Sequence, residues 1–561
     1  MRAVLLLVPV AIALLACSPK PQPETDSDLV AHAGAPLFKG MGEYHRTIDT
    51  KDPGAQRYFN QGMVLAFGFN HAEAIRSFRA AQKLDPDCAM CFWGEALATG
   101  PNINVTAKGK AVMSPDEQKA AWAALEKARA AAAGKPEIER DLIDALGKRY
   151  APEPVTDRDP FDRAYAEALG ALAQKHPQDD DIAAMYGEAW MNTMPWDYWS
   201  DATTPRPEIA PVIAMLEKTI ARSPRHPLAL HLYIHAMEAS ATPEKAEAAS
   251  DALLTLVPGS GHLVHMPAHI FWRVGRYNDA ANANIAAAKI DEEYIAQCNA
   301  QGFYPAMYYP HNIHFLWSAA SMQGQSRVAI EAARKLADNV SLDQIDQFPT
   351  VEFFKTVPLL SLVQFGHWDE ILAEPQPRAD LGYSNAIWRY ARGVALANKG
   401  DVKGAKAELA ALASLKSNPK VMVLDGNDYP ASALLQIADS LLQGEIAQAS
   451  GDGKTAIARF TEAVAGQDAL PYTEPPFWYY PTRQSLGAAL LKAGRAKEAQ
   501  AVYETDLQQY PHNGWSTYGL ILALEAQGQA EKAAMHREHF KAMWQFADVE
   551  LKGSRIDGRP I

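Results

Sequence analysis

The sequence predicts an all-α fold, a right-handed solenoid of antiparallel helix pairs. Two observations predict it. Small and large apolar residues recur at the period of one helical hairpin, and the chain is 561 residues long, more than one hydrophobic core usually serves. An array whose units touch only their neighbours escapes that limit. Hydrophobic residues make up 48% and charged residues 21% of the chain, so a large core can form without metal or disulfide staples.

The period is clearest from Ala55 to Pro86, where Tyr58, Gly62, Leu65, Ala74, Phe78, Ala81 and Pro86 fall at the signature intervals of a helical hairpin. Small residues stand where two helices cross closely, large ones fill the space between, and a proline ends the second helix. Only Gln61 departs from the pattern, at a place where an apolar residue is usual. Near the C-terminus Gly494 and Gly528 lie 34 residues apart, as do Ala499 and Ala533. Gly444, Gly451, Ala456, Phe460 and Ala463 keep the same internal spacing, and so do Gly393, Gly400, Ala405 and Leu409. Weaker copies run through Ala246 with Pro258, Ala268 with Gly275 and Ala280, and Gly324 with Ala329. This pattern resembles the tetratricopeptide repeat (TPR) family. The resemblance implies a TPR-like solenoid over most of the chain, read as one array from 51 to 340 and a second from 341 to 561. It is nearly silent about activity.

The N-terminus reads as a targeting segment. Met1 and Arg2 precede an apolar run from Ala3 to Ala16, then Cys17 and a polar, proline-containing stretch. The run is too short for a stable span and suits a signal sequence. Leu14-Leu15-Ala16-Cys17 resembles the lipobox of bacterial lipoproteins. That implies a signal peptide over 1–17, lipidation of Cys17, and attachment to the outer membrane, since Ser18 stands where inner-membrane retention usually uses Asp. The protein would then face the periplasm or the cell surface, held by its lipid alone. Residues 18–50 read as a flexible tether. An oxidising compartment allows Cys88 and Cys91 to pair, although the loop between them is tight. No histidine follows Cys91, which excludes covalent haem attachment. The net charge of −13 and the lack of a basic stripe argue against a nucleic-acid partner.

In each repeat, positions 2, 5 and 9 of the first helix share one face and point into the concave groove. With Gly261 as position 1, His262, His265 and His269 occupy those positions. Starting the preceding unit at Pro227 puts His231 at position 5, His235 at position 9 and Glu238 at position 12. Starting the next at Pro310 puts His311 at position 2 and His314 at position 5. Seven of the 16 histidines are thereby phased onto one stretch of groove. Imidazole is the commonest transition-metal ligand, and pairs at i,i+3 and i,i+4 can chelate. The set would suit Zn, Cu or Fe. Glu238 would add a hard ligand and Met266 a soft one. The same histidines could instead bind a metal-free ligand, or satisfy one another structurally.

Other candidates are weaker. Trp93-Gly94-Glu95-Ala96 and Tyr186-Gly187-Glu188-Ala189 echo each other, each followed by asparagine (Asn102 and Asn104; Asn192), so Glu188 could face the groove or belong to a repeated packing motif. Trp190, Trp196, Trp199, Tyr308 and Tyr309 could floor an aromatic pocket or lie in the core. His71 reads as a helix cap. Gly453-Lys454-Thr455 fails as a phosphate loop because Gln448 replaces the required glycine, and no His-Glu-x-x-His helix or Gly-x-Ser-x-Gly elbow occurs. The expectation is a membrane-anchored scaffold gripping a peptide, partner protein or small ligand in its groove. The alternative is a metal-binding protein or metalloenzyme using the histidines from 231 to 314. No residue pattern selects a reaction.

Overall fold

The computed structural model describes residues 26–107, 109–298 and 304–557; the lipobox, Cys17 and the signal sequence lie outside them. Helices arranged as successive antiparallel hairpins form nearly all of its regular structure, as the repeat pattern requires. Among the described residues the strands are confined to two small ribbons, Thr106–Ala107 with Lys110–Ala111 and Trp199–Asp201 with Thr204–Pro205.

The first repeat shows how the sequence builds a hairpin. Asp52 caps the helix Pro53–Phe67, accepting from the N–H groups of Gly54 and Ala55 at 2.7 and 3.0 Å, and Pro53 stands where its missing N–H costs nothing. Asn70 caps the return helix, His71–Leu84. Between them Phe69 adopts φ of 57°, the left-handed conformation that reverses the chain. Phe78 is fully buried and is gripped by glycines on both sides. A Cβ at Gly62 would lie 2.7 Å from its ring, and one at Gly94 would overlap it. The same device recurs at Tyr503, held between Gly487 and Gly519, and at Phe460 against Gly444. Glycine at these crossings lets a full aromatic ring fill the gap between two helices.

From Asp26 onward the stretch read as a tether is packed. The helix Asp26–Ala33 buries Leu29 and Ala33, and Ala35 and Ile48 are also buried. Arg46 reaches Asp179 at 3.1 Å and Asp181 at 2.7 Å, while Tyr58 donates to the Ala35 carbonyl. Composition suggested a linker because the few apolar residues are scattered; in the fold Leu29, Ala33, Ala35 and Ile48 all join the first core cluster. At Cys88 and Cys91 the sulfurs are bonded, with their Cα atoms 5.3 Å apart.

The chain curls back on itself. Tyr472 donates to the Glu238 carbonyl across 234 residues at 3.0 Å, and Trp515 to the Ser321 carbonyl across 194 residues at 3.0 Å. Tyr277 donates to the Pro511 carbonyl, and Asp548 accepts from the N–H of Ser326. The buried apolar side chains form one large cluster from Leu29 to Tyr308 and another from Ala288 to Leu551, with a smaller one between. The boundary expected at 340 therefore falls inside the second cluster; the cores meet near residues 288–309, where the run Tyr304–Tyr309 passes from one to the other. Among the described residues no helix is long and apolar enough to cross a membrane.

Candidate metal centre

Six of the seven phased histidines meet in two adjacent triads. Ligand atoms of His231, His235 and His262 lie within 4.8 Å of one another, and so do those of His265, His269 and His311. The triads face each other, with ring centroids 5.8 Å apart for His262 and His265 and 5.8 Å for His235 and His269. All are buried except His311, which is half-buried.

Four elements deliver them. The helix Pro227–Met237, capped by His226, carries His231 and His235, and Glu238 follows at its C-terminal end. The stretch expected to be one helix is two: Gly261–His265 bears His262 and His265, and Pro267–Arg273 bears His269. Pro267 lacks an N–H and breaks the ladder between them. The helix Tyr309–Met322 supplies His311 and His314.

The ring orientations are fixed from behind. His231 Nδ1 donates to the Phe67 carbonyl at 2.7 Å, His235 Nδ1 to Glu238 Oε1 at 2.8 Å, and His269 Nδ1 to Glu238 Oε2 at 2.5 Å. His265 Nδ1 donates to Asn284 Oδ1 at 2.7 Å, the amide being oriented by its own bond to the Ala280 carbonyl. With Nδ1 occupied as a donor, each neutral ring presents the lone pair of Nε2. His231 Nε2, His235 Nε2 and both ring nitrogens of His262 are buried without a hydrogen-bond partner. Such orphans are costly unless something else satisfies them.

Charge follows burial. Burial first, and neighbouring imidazoles second, hold His231, His262, His265 and His311 well below the ordinary imidazole range. Burial also lowers His235, against the opposing pull of Glu238. They are neutral at pH 7, the form that ligates. His269 is the exception: burial would lower it, but the Glu238 charge and hydrogen bond, with Glu474 behind them, raise it to about 10. Its Nε2 stands 2.8 Å from His265 Nε2, so in the metal-free protein one proton lies between two nitrogens that are otherwise both acceptors.

His235, His262, His269 and His311, with His314, form one wall of a cavity of about 360 Å³. Trp317, Phe353, Phe354, Tyr429, Phe477 and Tyr479 give it an aromatic lining beside them. The segment Tyr472–Tyr480 closes it, placing Glu474 beside His269 at 3.2 Å. Trp196 and Tyr472, 43% and 44% exposed, also line it and mark where it meets the surface.

The other sequence candidates distribute differently. Tyr308 lines the cavity, its ring centroid 4.8 Å from that of His262. His314 lines it too but belongs to neither triad, stacking on Trp317 at 5.2 Å. Glu188 is elsewhere, in a narrow crevice with His71 and Arg149, where burial pushes its carboxyl up to about 7 against the pull of Arg149. Of the aromatic set, Trp190 lies over Arg163, Trp199 donates to the Ala236 carbonyl and Tyr309 to Glu292; none of the three lines the cavity. His71 accepts no capping role; Asn70 takes it, and His71 reaches the Gly100 carbonyl. Met266 is fully buried and outside the lining. Sequence reasoning missed Asn284, the Phe67 carbonyl and Glu474, which come from a return helix, a hairpin end and an inserted loop. It also missed Phe69, whose ring lies 4.6 Å from that of His231. Only Glu474 left a signal, in the proline- and aromatic-rich segment that interrupts the repeats.

Residues 55–88 match the tetratricopeptide repeat. This is the hairpin whose turn delivers Phe69 to the first triad and whose first helix ends on the Phe67 carbonyl. No curated protein matches the chain. Among solved structures it is similar to the human IFIT1 dimer with m7Gppp-AAAA (12% identity, 88% of this chain and 91% of that one, TM-score 0.32). It is also similar to yeast Tom70 (12%, 86% and 89%, TM-score 0.28), and to the APC/C hetero-tetramer Cut9-Hcn1 (14%, 89% and 76%, TM-score 0.29). Likeness at this level bears on neither ligand nor activity. The tetratricopeptide-like character of the fold rests on the hairpins themselves.

Proposed function

We propose that this protein is a transition-metal protein whose histidine triads hold metal at the wall of an aromatic-lined cavity. The observation that carries the reading is the pattern of ring hydrogen bonds: four Nδ1 atoms anchored on oxygen acceptors, with Nε2 atoms converging and in part unsatisfied. Structural histidines have no need to aim their lone pairs at one another, whereas metal ligands are oriented in this way by their outer partners. An all-imidazole set suits Zn, Cu or Fe.

Elemental analysis of the purified full-length protein tests this. Near-stoichiometric Zn, Cu or Fe is expected, with the share held by the second triad lost in His265→Ala/His269→Ala and the share held by the first lost in His231→Ala/His235→Ala, the helical circular dichroism being retained in both. A protein without metal, or a double variant with unchanged content, overturns it.

A protein-interaction scaffold is consistent with the repeat architecture. An extended peptide in the inner hollow would collide with Tyr472–Tyr480, so a protein partner would meet the outer surface while the interior serves metal and small ligand. We further propose that the chain is exported and anchored at the outer membrane through lipidated Cys17. The Cys88–Cys91 bond supports an oxidising compartment. Cys17→Ala should move the protein from the membrane to the soluble periplasmic fraction; unchanged membrane association would refute the anchor.

A further inference from the structure

We infer that the cavity receives an aromatic molecule of one or two rings bearing a hydroxyl group, its ring among the aromatic side chains and its oxygen at the histidine wall. This rests on the metal reading above and names the ligand class of the same site.

Size comes first. A cavity of about 150 Å³ suffices for benzene, so about 360 Å³ leaves room for a substituted or second ring. Shape follows from the walls. Phe353 and Tyr429 lie nearly parallel, 12° apart with centroids at 4.8 Å, and Phe353 meets Phe354 at 4.1 Å. Flat faces of this kind favour flat guests in offset or edge contact.

Charge narrows the class further. The lining contains no Lys, Arg or Asp, and Glu474 is its one carboxylate. Metal at the histidine wall would repel a cation. Aromatic faces attract cations, and Glu474 Oε2 is buried without a hydrogen-bond partner, but that oxygen already lies 3.2 Å from His269 Nδ1. A guest without positive charge avoids that repulsion.

The hydroxyl is called for by two features at the polar end. The metal-bearing wall would offer a Lewis acid to an oxygen lone pair. Asn104 lines the same cavity, and its Oδ1 is buried without a hydrogen-bond partner. One group that offers a lone pair and donates a hydrogen bond answers both, and a hydroxyl is the smallest that does.

The test is calorimetric titration of the full-length protein with phenol, toluene and phenyltrimethylammonium, metal content being measured on the same samples. Phenol should bind at least tenfold more tightly than the other two. Leu360→Trp, which fills the cavity from its lining, should weaken phenol at least tenfold with metal content unchanged; Val357→Leu is the milder filling variant if the first does not fold. Toluene or phenyltrimethylammonium binding as well as phenol, absence of phenol binding by metal-containing protein, or indifference to the filling variants would overturn the inference. Phenol affinity unchanged in chelator-stripped protein would overturn the placement of its oxygen at the metal. A protein that never contains metal fails on the elemental measurement instead, which separates that failure from this one.

Discussion

Glu238→Gln is expected to cost metal at the triad whose ring meets the new NH₂ group and to weaken the other, whose ring keeps only an uncharged acceptor. One carboxylate serves His235 through Oε1 and His269 through Oε2, and these rings belong to different triads. Glutamine keeps the shape but replaces one acceptor with an NH₂ donor. Whichever ring faces that donor must move its proton from Nδ1 to Nε2, turning a ligand lone pair into an N–H aimed at the metal position. Loss of one outer partner commonly costs about 10- to 100-fold in metal affinity, and here the partner is shared. In the metal-free state the cost falls on stability. Glu238 is 1% exposed and is the main counter-charge of His269, and breaking a buried pair costs about 3–5 kcal/mol. Competition against a chelator reads the first effect, and urea unfolding of stripped protein the second. Wild-type metal affinity in Glu238→Gln would show that this carboxylate does not aim the ligands.

The second large effect is expected at Gly261→Ala. A Cβ there would overlap the carboxylate of Asp291, and that carboxylate cannot easily move away. Tyr304 donates to its Oδ1 at 2.9 Å and Asn312 to its Oδ2 at 2.7 Å. The added methyl must therefore push the helix Gly261–His265 off the helix Tyr277–Cys298. His262 and His265 ride on the displaced helix, one in each triad. Overpacking of this kind costs about 1–3 kcal/mol, and the metal content should fall with it. Denaturant unfolding checks the stability and elemental analysis the metal. If both match wild type, the position of these two histidines is not set by the Asp291 contact.

Much of the fold was legible in the residues because a repeat is a local code. Gly62, Phe78 and Pro86 state within one hairpin where helices cross, what fills the crossing and where the chain turns. The phasing of His231, His235, His262, His265, His269 and His311 was legible for the same reason, since helical periodicity alone puts them on one face. Glu188 was left open between groove and packing because a repeated motif fixes a position within a hairpin, and whether that position meets the central hollow depends on how the hairpins stack.

What the sequence determined by itself is the all-α hairpin array and the histidine phasing, both products of interactions between residues a few positions apart. The tertiary structure alone decided that the phased rings divide into two triads, that Glu238 and Asn284 orient them, and that Glu474 and Tyr472 line the hollow beside them. Those contacts join residues separated by as many as 234 positions. Periodicity carries no information across such distances; they are set by the cumulative curl of the array and by the burial that its closure gains.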